Sequence, residues 1–363
     1  MSDLIDFERR RLLGAGAMAL ASARISLVAP LRSAMPGVLD HATRRGELTS
    51  LETAAGWLNS SPLSASDSRG KVVLIDFWTY TCINWLRTLP YVRAWAEKYR
   101  THGLVVVGVH APEFWFEHDV DNVRRAAKEL RVEHPVALDN SFSIWRAFRN
   151  QYWPARYLVD ARGNIRHRHF GEGAYEASER AIQRALVDAG ARGVADQLVS
   201  VTGAGIEASA DWTSLGSPET YIGYARAERF ASSGGMAPEE RRVYRAPLTM
   251  RLNEWALSGD WTLKGQAAVL NRTTGRLVCA FRARDLHLVL GTATGSGPVR
   301  FRVLIDGHAP GDARGGDVDA GGFGTITDQR LYQLIRQPKP IESRQFAIEF
   351  LDPGAEAFAF TFG

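Results

Sequence analysis

The period of the apolar positions along this chain changes twice. Val72 to Phe77 (VVLIDF) is a continuous apolar run of the kind that fills a strand buried on both faces. From Trp85 to Tyr99, Leu86, Leu89, Val92, Trp95, Ala96 and Tyr99 fall at helical spacing, with Pro90 placed to kink the helix. Leu104 to His110 (LVVVGVH) predicts a second buried strand, residues 119–131 a charged amphipathic helix, and Val136 to Leu138 a short strand. Asn140 and Ser141 are placed to cap a helix reaching about Asn150. Ala155 to Val159 and Ile165 to Phe170 flank the turn residues Asp160-Ala161-Arg162-Gly163-Asn164 as a hairpin, and a closing helix is expected from about Glu176 to Ala189. Residues 45–190 therefore predict an α/β domain with a mixed sheet between helices.

Beyond Gly190 the helical period disappears. Residues 191–215 are rich in Gly, Ala and Ser and predict a linker, with a short helix near Val194 to Val201. Residues 216–363 carry alternating segments: Trp261-Thr262-Leu263, Leu277 to Arg284, Leu286 to Leu290, Val299 to Ile305, Phe346 to Phe350 and Ala357 to Phe362. Gly- and Asp-rich turns separate them, which predicts an all-β sandwich, jelly-roll-like in topology. No repeat of fixed period runs through the chain.

Composition changes this picture little, except at the N-terminus. With 363 residues, 45% hydrophobic and 23% charged, the chain suits two ordinary globular domains. A net charge of +4 without a Lys/Arg block beyond Arg9 to Arg11 gives no nucleic-acid footprint. Arg162, Arg166, His167, Arg168 and His169 form the next densest basic group and read as a solvated strand face rather than an anion site. Residues 1–30 read as an export leader: Arg9-Arg10-Arg11, a weakly apolar run (LLGAGAMALA) and the small-x-small site Ala21-Ser22-Ala23. This resembles a twin-arginine signal and predicts a periplasmic or otherwise extracytoplasmic protein, membrane-bound only if the leader stays uncleaved. Residues 31–70 read as a polar arm with turns.

The two cysteines, Cys82 and Cys279, exclude a disulfide-rich scaffold and a four-cysteine zinc site. Cys279 shares an alternation face with Leu277 and Phe281, which favours core packing over a bridge to Cys82. His110, His118, His134, His167 and His169 lack metal-ligand spacing, and no cofactor is expected. Cys82 sits where a strand turns into a helix, so unpaired helix N–H groups favour its thiolate. Three residues on, where a C-x-x-C motif would place a second thiol, stands Trp85.

The run DFWTYTCINW followed by RTLP resembles the active-site segment of the thioredoxin superfamily, nearest the exported TlpA-like and DipZ-like thiol-disulfide oxidoreductases (redoxins). The resemblance implies an α/β thioredoxin-like fold. It also implies roles for individual residues: Cys82 as attacking thiol, Asp76 as the buried strand acid, Pro90 as the helix proline, and Trp153-Pro154-Ala155 as the cis-proline segment facing the sulfur. Tyr157 to Tyr175 resembles the closing hairpin of the DipZ-like branch, and the tail from Pro218 resembles its carbohydrate-module-like β domain. Trp78, Thr79, Thr81, Arg87 and Trp153 are candidate substrate-facing residues. With Trp85 in the resolving position, Asp76 either assists nearby chemistry or is simply a buried carboxylate.

Three functions follow as expectations. The first is single-thiol exchange through Cys82 with a disulfide- or thiol-bearing envelope protein or small-molecule thiol, an external thiol completing the cycle. The second is a one-cysteine thiol peroxidase, suggested by Thr79-Tyr80-Thr81-Cys82 with Arg87 a helical turn away. The third is polypeptide or glycan binding without turnover. For the glycan, Trp212, Tyr221, Tyr224, Trp255, Trp261 and Tyr332 are either a stacking platform or sandwich core.

Overall fold

The computed structural model describes residues 46–363; the leader read in residues 1–30 lies outside the described residues. The first domain runs α1 (Gly46–Thr49), β1 (Gly56–Leu58), β2 (Val72–Trp78), α2 (Ile83–Tyr99), β3 (Leu104–His110), α3 (Val120–Glu129), β4 (Val136–Leu138), α4 (Ser143–Ala147), β5 (Ala155–Val159), β6 (Ile165–Phe170) and α5 (Tyr175–Asp188). Its strands lie in the order β1-β4-β3-β2-β5-β6, with β2, β3 and β4 parallel and the others antiparallel to their neighbours.

β2 is buried at every position because helices cover both its faces. Val73, Ile75 and Phe77 meet Ile144, Trp145 and Phe148 from the α4 side. Val72 and Leu74 meet Val92, Trp95 and Tyr99 of α2 and Ile182 and Leu186 of α5. By alternation Asp76 and Trp78 share that second face, which is why the strand's one acid lies beneath α2.

One helix start departs from expectation. Asn140 and Ser141 do not cap α4, which is shorter than predicted. Its N-cap is Phe142, at φ 57°, and Asp139 further back holds the first turn, its two carboxylate oxygens accepting from the backbone N–H of Ile144 (3.1 Å) and Trp145 (2.7 Å). The helix stops before Arg149, itself left-handed at φ 52°.

Residues 191–215 form a strap against the first domain rather than a loose tether. No helix forms at 194–201; the strap carries a 3-10 segment, Gly205–Glu207, and a turn at Trp212–Ser214. Val199 N–H donates to both carboxylate oxygens of Glu179, and Glu207 pairs with Arg93 of α2 at 2.7 Å.

The second domain contains β7 (Thr220–Tyr221), β8 (Arg241–Tyr244), β9 (Trp255–Leu263), β10 (Ala268–Leu270), β11 (Arg276–Arg282), β12 (Asp285–Thr292), β13 (Val299–Ile305), β14 (Phe323–Ile326), β15 (Arg330–Arg336), β16 (Ser343–Phe350) and β17 (Ala355–Phe362). It is all-β and antiparallel, in the order β14-β13-β16-β11-β9-β10-β17-β12-β15. β9 joins the two layers: Trp255 to Ser258 pair with β11, Gly259 bends at φ 101°, and Trp261 to Leu263 pair with β10. Trp255, Trp261, Phe301, Tyr332, Phe346 and Phe360 fill the space between the layers. Cys279 lies in the same core, 3% exposed, its thiol pushed upward by burial and in no disulfide.

The outer face of the β12-β15-β17 layer is covered by the first domain. Val289, Leu331, Phe358 and Ala359 join one apolar cluster with Tyr80, Ile83, Trp85, Leu86, Phe114 and Phe116. The Phe358 ring centroid lies 4.8 Å from Phe116 and 5.3 Å from Phe114. Arg87 of α2 pairs with Glu172 at 3.2 Å and donates to the Phe362 carbonyl at 3.3 Å. Among the described residues, no helix is long and apolar enough to cross a membrane.

Candidate active site around Cys82

Cys82 is the N-cap residue of the 17-residue α2, with extended backbone (φ −79°, ψ 108°), and its carbonyl accepts from the N–H groups of Trp85 and Leu86. Its side chain is half-buried against the shared apolar cluster. The helix forms here because the β2 run ends at Trp78 and Thr79 to Cys82 make a turn, the Cys82 N–H donating to the Thr79 carbonyl at 3.2 Å.

Trp85 points inward. It is fully buried, stacks on Trp78 with centroids 4.3 Å apart, and its indole N–H donates to Asp76 Oδ2 at 2.9 Å. The bulky residue in the second motif position is thus bonded to the strand acid that lies under the site. Burial pushes the Asp76 carboxyl up from 3.8 to about 7, against smaller opposing contributions from the indole bond and the Arg156 charge. Asp76 Oδ1 has no hydrogen-bond partner among the described residues. Arg156 sits opposite Asp76 in the β2–β5 register, fully buried, its guanidinium over the rings of Trp95 (5.5 Å) and Tyr175 (5.1 Å) and donating to the Gly173 carbonyl at 2.6 Å.

The Trp153–Pro154 peptide is cis. Because Ala155 pairs with Phe77, Pro154 stands at the end of β2 from which the Cys82 turn departs. The Trp153 side chain leans away: its indole donates to the Ala111 carbonyl at 3.0 Å and its ring lies against Trp145 at 4.2 Å.

Of the other residues expected to face substrate, Trp78 and Thr79 are fully buried and Thr81 is 2% exposed. Their side chains line the floor of the site rather than its surface, because the turn packs under the second domain. Arg87 is also removed from solvent, held by Glu172 and the Phe362 carbonyl. Around Trp78 lie His110 (ring centroids 4.9 Å apart) and His134, which burial pushes down to about 3 and about 4, so both are neutral at physiological pH. Among the described residues, no group of three or more His, Cys, Asp or Glu is arranged to hold a metal ion.

Sequence reasoning passed over Glu117. It is fully buried beside the Cys82 turn, accepting from Thr81 Oγ1 (2.6 Å) and from the backbone N–H groups of Glu113 (2.5 Å) and Phe114 (2.9 Å). Burial pushes its carboxyl from 4.5 to about 7, against the lowering effect of its threonine hydrogen bonds. The only signal was an acid directly after the aromatic run Phe114-Trp115-Phe116, next to a charged helix that masked it.

This constellation, a cysteine opening the helix after the central strand, an acid beneath it and a cis-proline at the strand's end, sits on a thioredoxin-like fold, and two families match parts of the chain. Residues 50–168 match the AhpC/TSA family, and residues 217–363 match the family described as "Thioredoxin like C-terminal domain". The chain is similar to protein DipZ of Mycobacterium bovis, 38% identical over 249 residues that make up 68% of this chain and 35% of DipZ. It is also similar to the thiol-disulfide oxidoreductase YkuV of Bacillus subtilis, 28% identical over 144 residues, 40% of this chain and 97% of YkuV. A solved thioredoxin-like protein in its oxidised form shares 30% identity, covering 37% of this chain and 90% of its own, with a TM-score of 0.35. The chain spans about a third of the length of the DipZ proteins it matches.

Proposed function

We propose that this is an exported thioredoxin-fold redox protein that carries out thiol-disulfide exchange with one thiol. The Cys82 thiolate attacks a disulfide R–S–S–R′, forming Cys82–S–S–R and releasing R′–S⁻. An external thiolate then attacks the R sulfur and returns the Cys82 thiolate. The observation that carries this reading is the pairing of a half-buried Cys82 at the start of α2 with a Trp85 turned inward onto Asp76. Cys279, deep in the other domain's core, is no substitute.

The partner chemistry is a disulfide- or thiol-bearing envelope protein or a small-molecule thiol. Export rests on the Arg9 to Arg11 leader reading. Peroxide reduction ranks below exchange, since the motif threonine Thr79 is fully buried and Arg87 is held by Glu172. A glycan contact has weaker support still: Trp255, Trp261 and Tyr332 are core and Tyr221 half-buried, leaving Trp212 and Tyr224 exposed.

The test is the reaction of the native full chain with a chromogenic aromatic disulfide. One equivalent of aromatic thiolate per chain, lost in Cys82→Ala and kept in Cys279→Ala, is expected. No release from the native protein would leave the fold as a non-catalytic binding module.

A further inference from the structure

The second domain reaches Thr81, the residue before the cysteine, through a continuous set of hydrogen bonds. Tyr221 Oη and Arg226 Nη1 both donate to Glu113 Oε1, at 2.7 and 2.9 Å, with the Arg226 guanidinium stacked over Tyr221 at 3.6 Å. The Glu113 backbone N–H donates to Glu117 Oε2, and the other Glu117 oxygen takes the hydroxyl proton of Thr81, the residue before Cys82. All three side chains at the inner end are nearly or fully buried: Glu113 at 4%, Glu117 at 0% and Thr81 at 2%. The connection therefore runs through low-dielectric protein, where charge acts over longer range than in water.

We propose that Glu117 is a positioning residue for Cys82, setting how readily its thiolate forms, and that the second domain fixes Glu117 in place through Glu113. The inference rests on the reading of Cys82 as the nucleophile. When Glu117 is ionised, its negative charge beside the Cys82 turn opposes a second negative charge on the sulfur. When Oε1 is protonated, that charge is gone and the bond to Thr81 reverses: the carboxyl donates, the Thr81 oxygen accepts, and the Thr81 proton can turn to another acceptor. Both effects favour the thiolate in the same protonation state. The elevated carboxyl, titrating near 7, places the change in the range where thiols react.

Other charges also face this carboxylate. Glu113 comes from its own turn and Tyr80 from the Cys82 turn. Asp119, Arg125 and Asp328 act on Tyr80 from α3 and the second domain. Tyr80 itself is held neutral by burial, and the buried acids whose charge changes near 7 are Glu117, beside the Cys82 turn, and Asp76, beneath α2 and bonded to Trp85.

The experiment is the rate of Cys82 alkylation by iodoacetamide in the full chain between pH 5.5 and 9.5, with the modified residue identified by mass. The wild-type profile should be broader than a one-proton curve. Glu117→Gln should narrow it, with the narrowing kept in an Asp76→Asn background where Asp76 no longer titrates, and react at least about threefold faster at pH 7.5, a fall of about half a unit in the thiol pKa. Glu117→Asp should restore the broad profile, and Tyr221→Phe with Arg226→Ala should shift its lower limb without abolishing it. A Glu117→Gln profile that superimposes on the wild type, or differs by one constant factor at every pH, overturns the inference while leaving the nucleophile reading intact. If wild-type Cys82 is not alkylated at any pH, the nucleophile reading fails and takes the inference with it.

Discussion

Trp85 decides what this site can do, and its effect is local. A cysteine there would supply a second thiol; the tryptophan supplies one N–H, given to Asp76, and a ring stacked on Trp78. Asp76 titrates near 7 in the folded chain against 3.8 ordinarily, so the native state binds its proton more tightly than the unfolded state. Its contribution is therefore neutral below about pH 4 and destabilising as pH rises through 7. Denaturant midpoints should fall between pH 5 and 8 by more in the wild type than in Asp76→Asn. Because the indole bond favours the ionised acid, Trp85→Phe should cost about 1–3 kcal/mol, with a larger loss at pH 8 than at pH 5. Equal losses at both pH values would show that Asp76 does not titrate in that window. Cys82, Asp76, Trp85 and Pro154 were legible because each stands at a fixed place in a strand-turn-helix or strand-start pattern. Glu117 was not, since the Thr81 hydroxyl that ties it to the Cys82 turn lies 36 positions away and its neighbours look like the start of a surface helix.

At the level of elements, the strands and helices of the first domain followed their apolar period closely, because β2 and β3 are covered on both faces and tolerate little polar interruption. The helix after Asp139 followed it poorly: a left-handed Phe142 is the N-cap of α4, and the carboxylate that holds its first turn comes from Asp139 rather than from Asn140 or Ser141. β17 shows a different limit. Its Phe358, Phe360 and Phe362 alternate in sequence as one face, yet the pairing with β12 slips between Val289 and Leu290, and Phe358 turns to the first domain while Phe360 and Phe362 stay in the sandwich. A bulge of this kind leaves no mark on the alternation itself. Phe358→Ala should therefore loosen the interface, lowering stability by about 3–5 kcal/mol and speeding limited proteolysis within residues 191–215. Unchanged proteolysis and stability would contradict the packing of Phe358 on Phe114 and Phe116.

Across the whole molecule, the two domains share one apolar cluster at the cysteine's end of α2, and the buried Arg87–Glu172 pair and the Glu113 bonds reinforce it. Sequence alone read an α/β part followed by an all-β part, but it gave no sign that one covers the other's Cys82 side, since outward residues of a sandwich are ordinarily wet. That cover explains why candidate surface residues such as Thr79, Thr81 and Arg87 are internal while Cys82 keeps partial exposure. The central claim is that this chain performs the attacking half of thiol-disulfide exchange and lacks the internal release. The direct measurement is the lifetime of the mixed disulfide formed between the native full chain and oxidised glutathione, followed by intact mass. A single adduct on Cys82 that persists until an external thiol is added is the predicted result; no adduct, or an adduct that clears unaided as Cys82 and Cys279 pair, would contradict it.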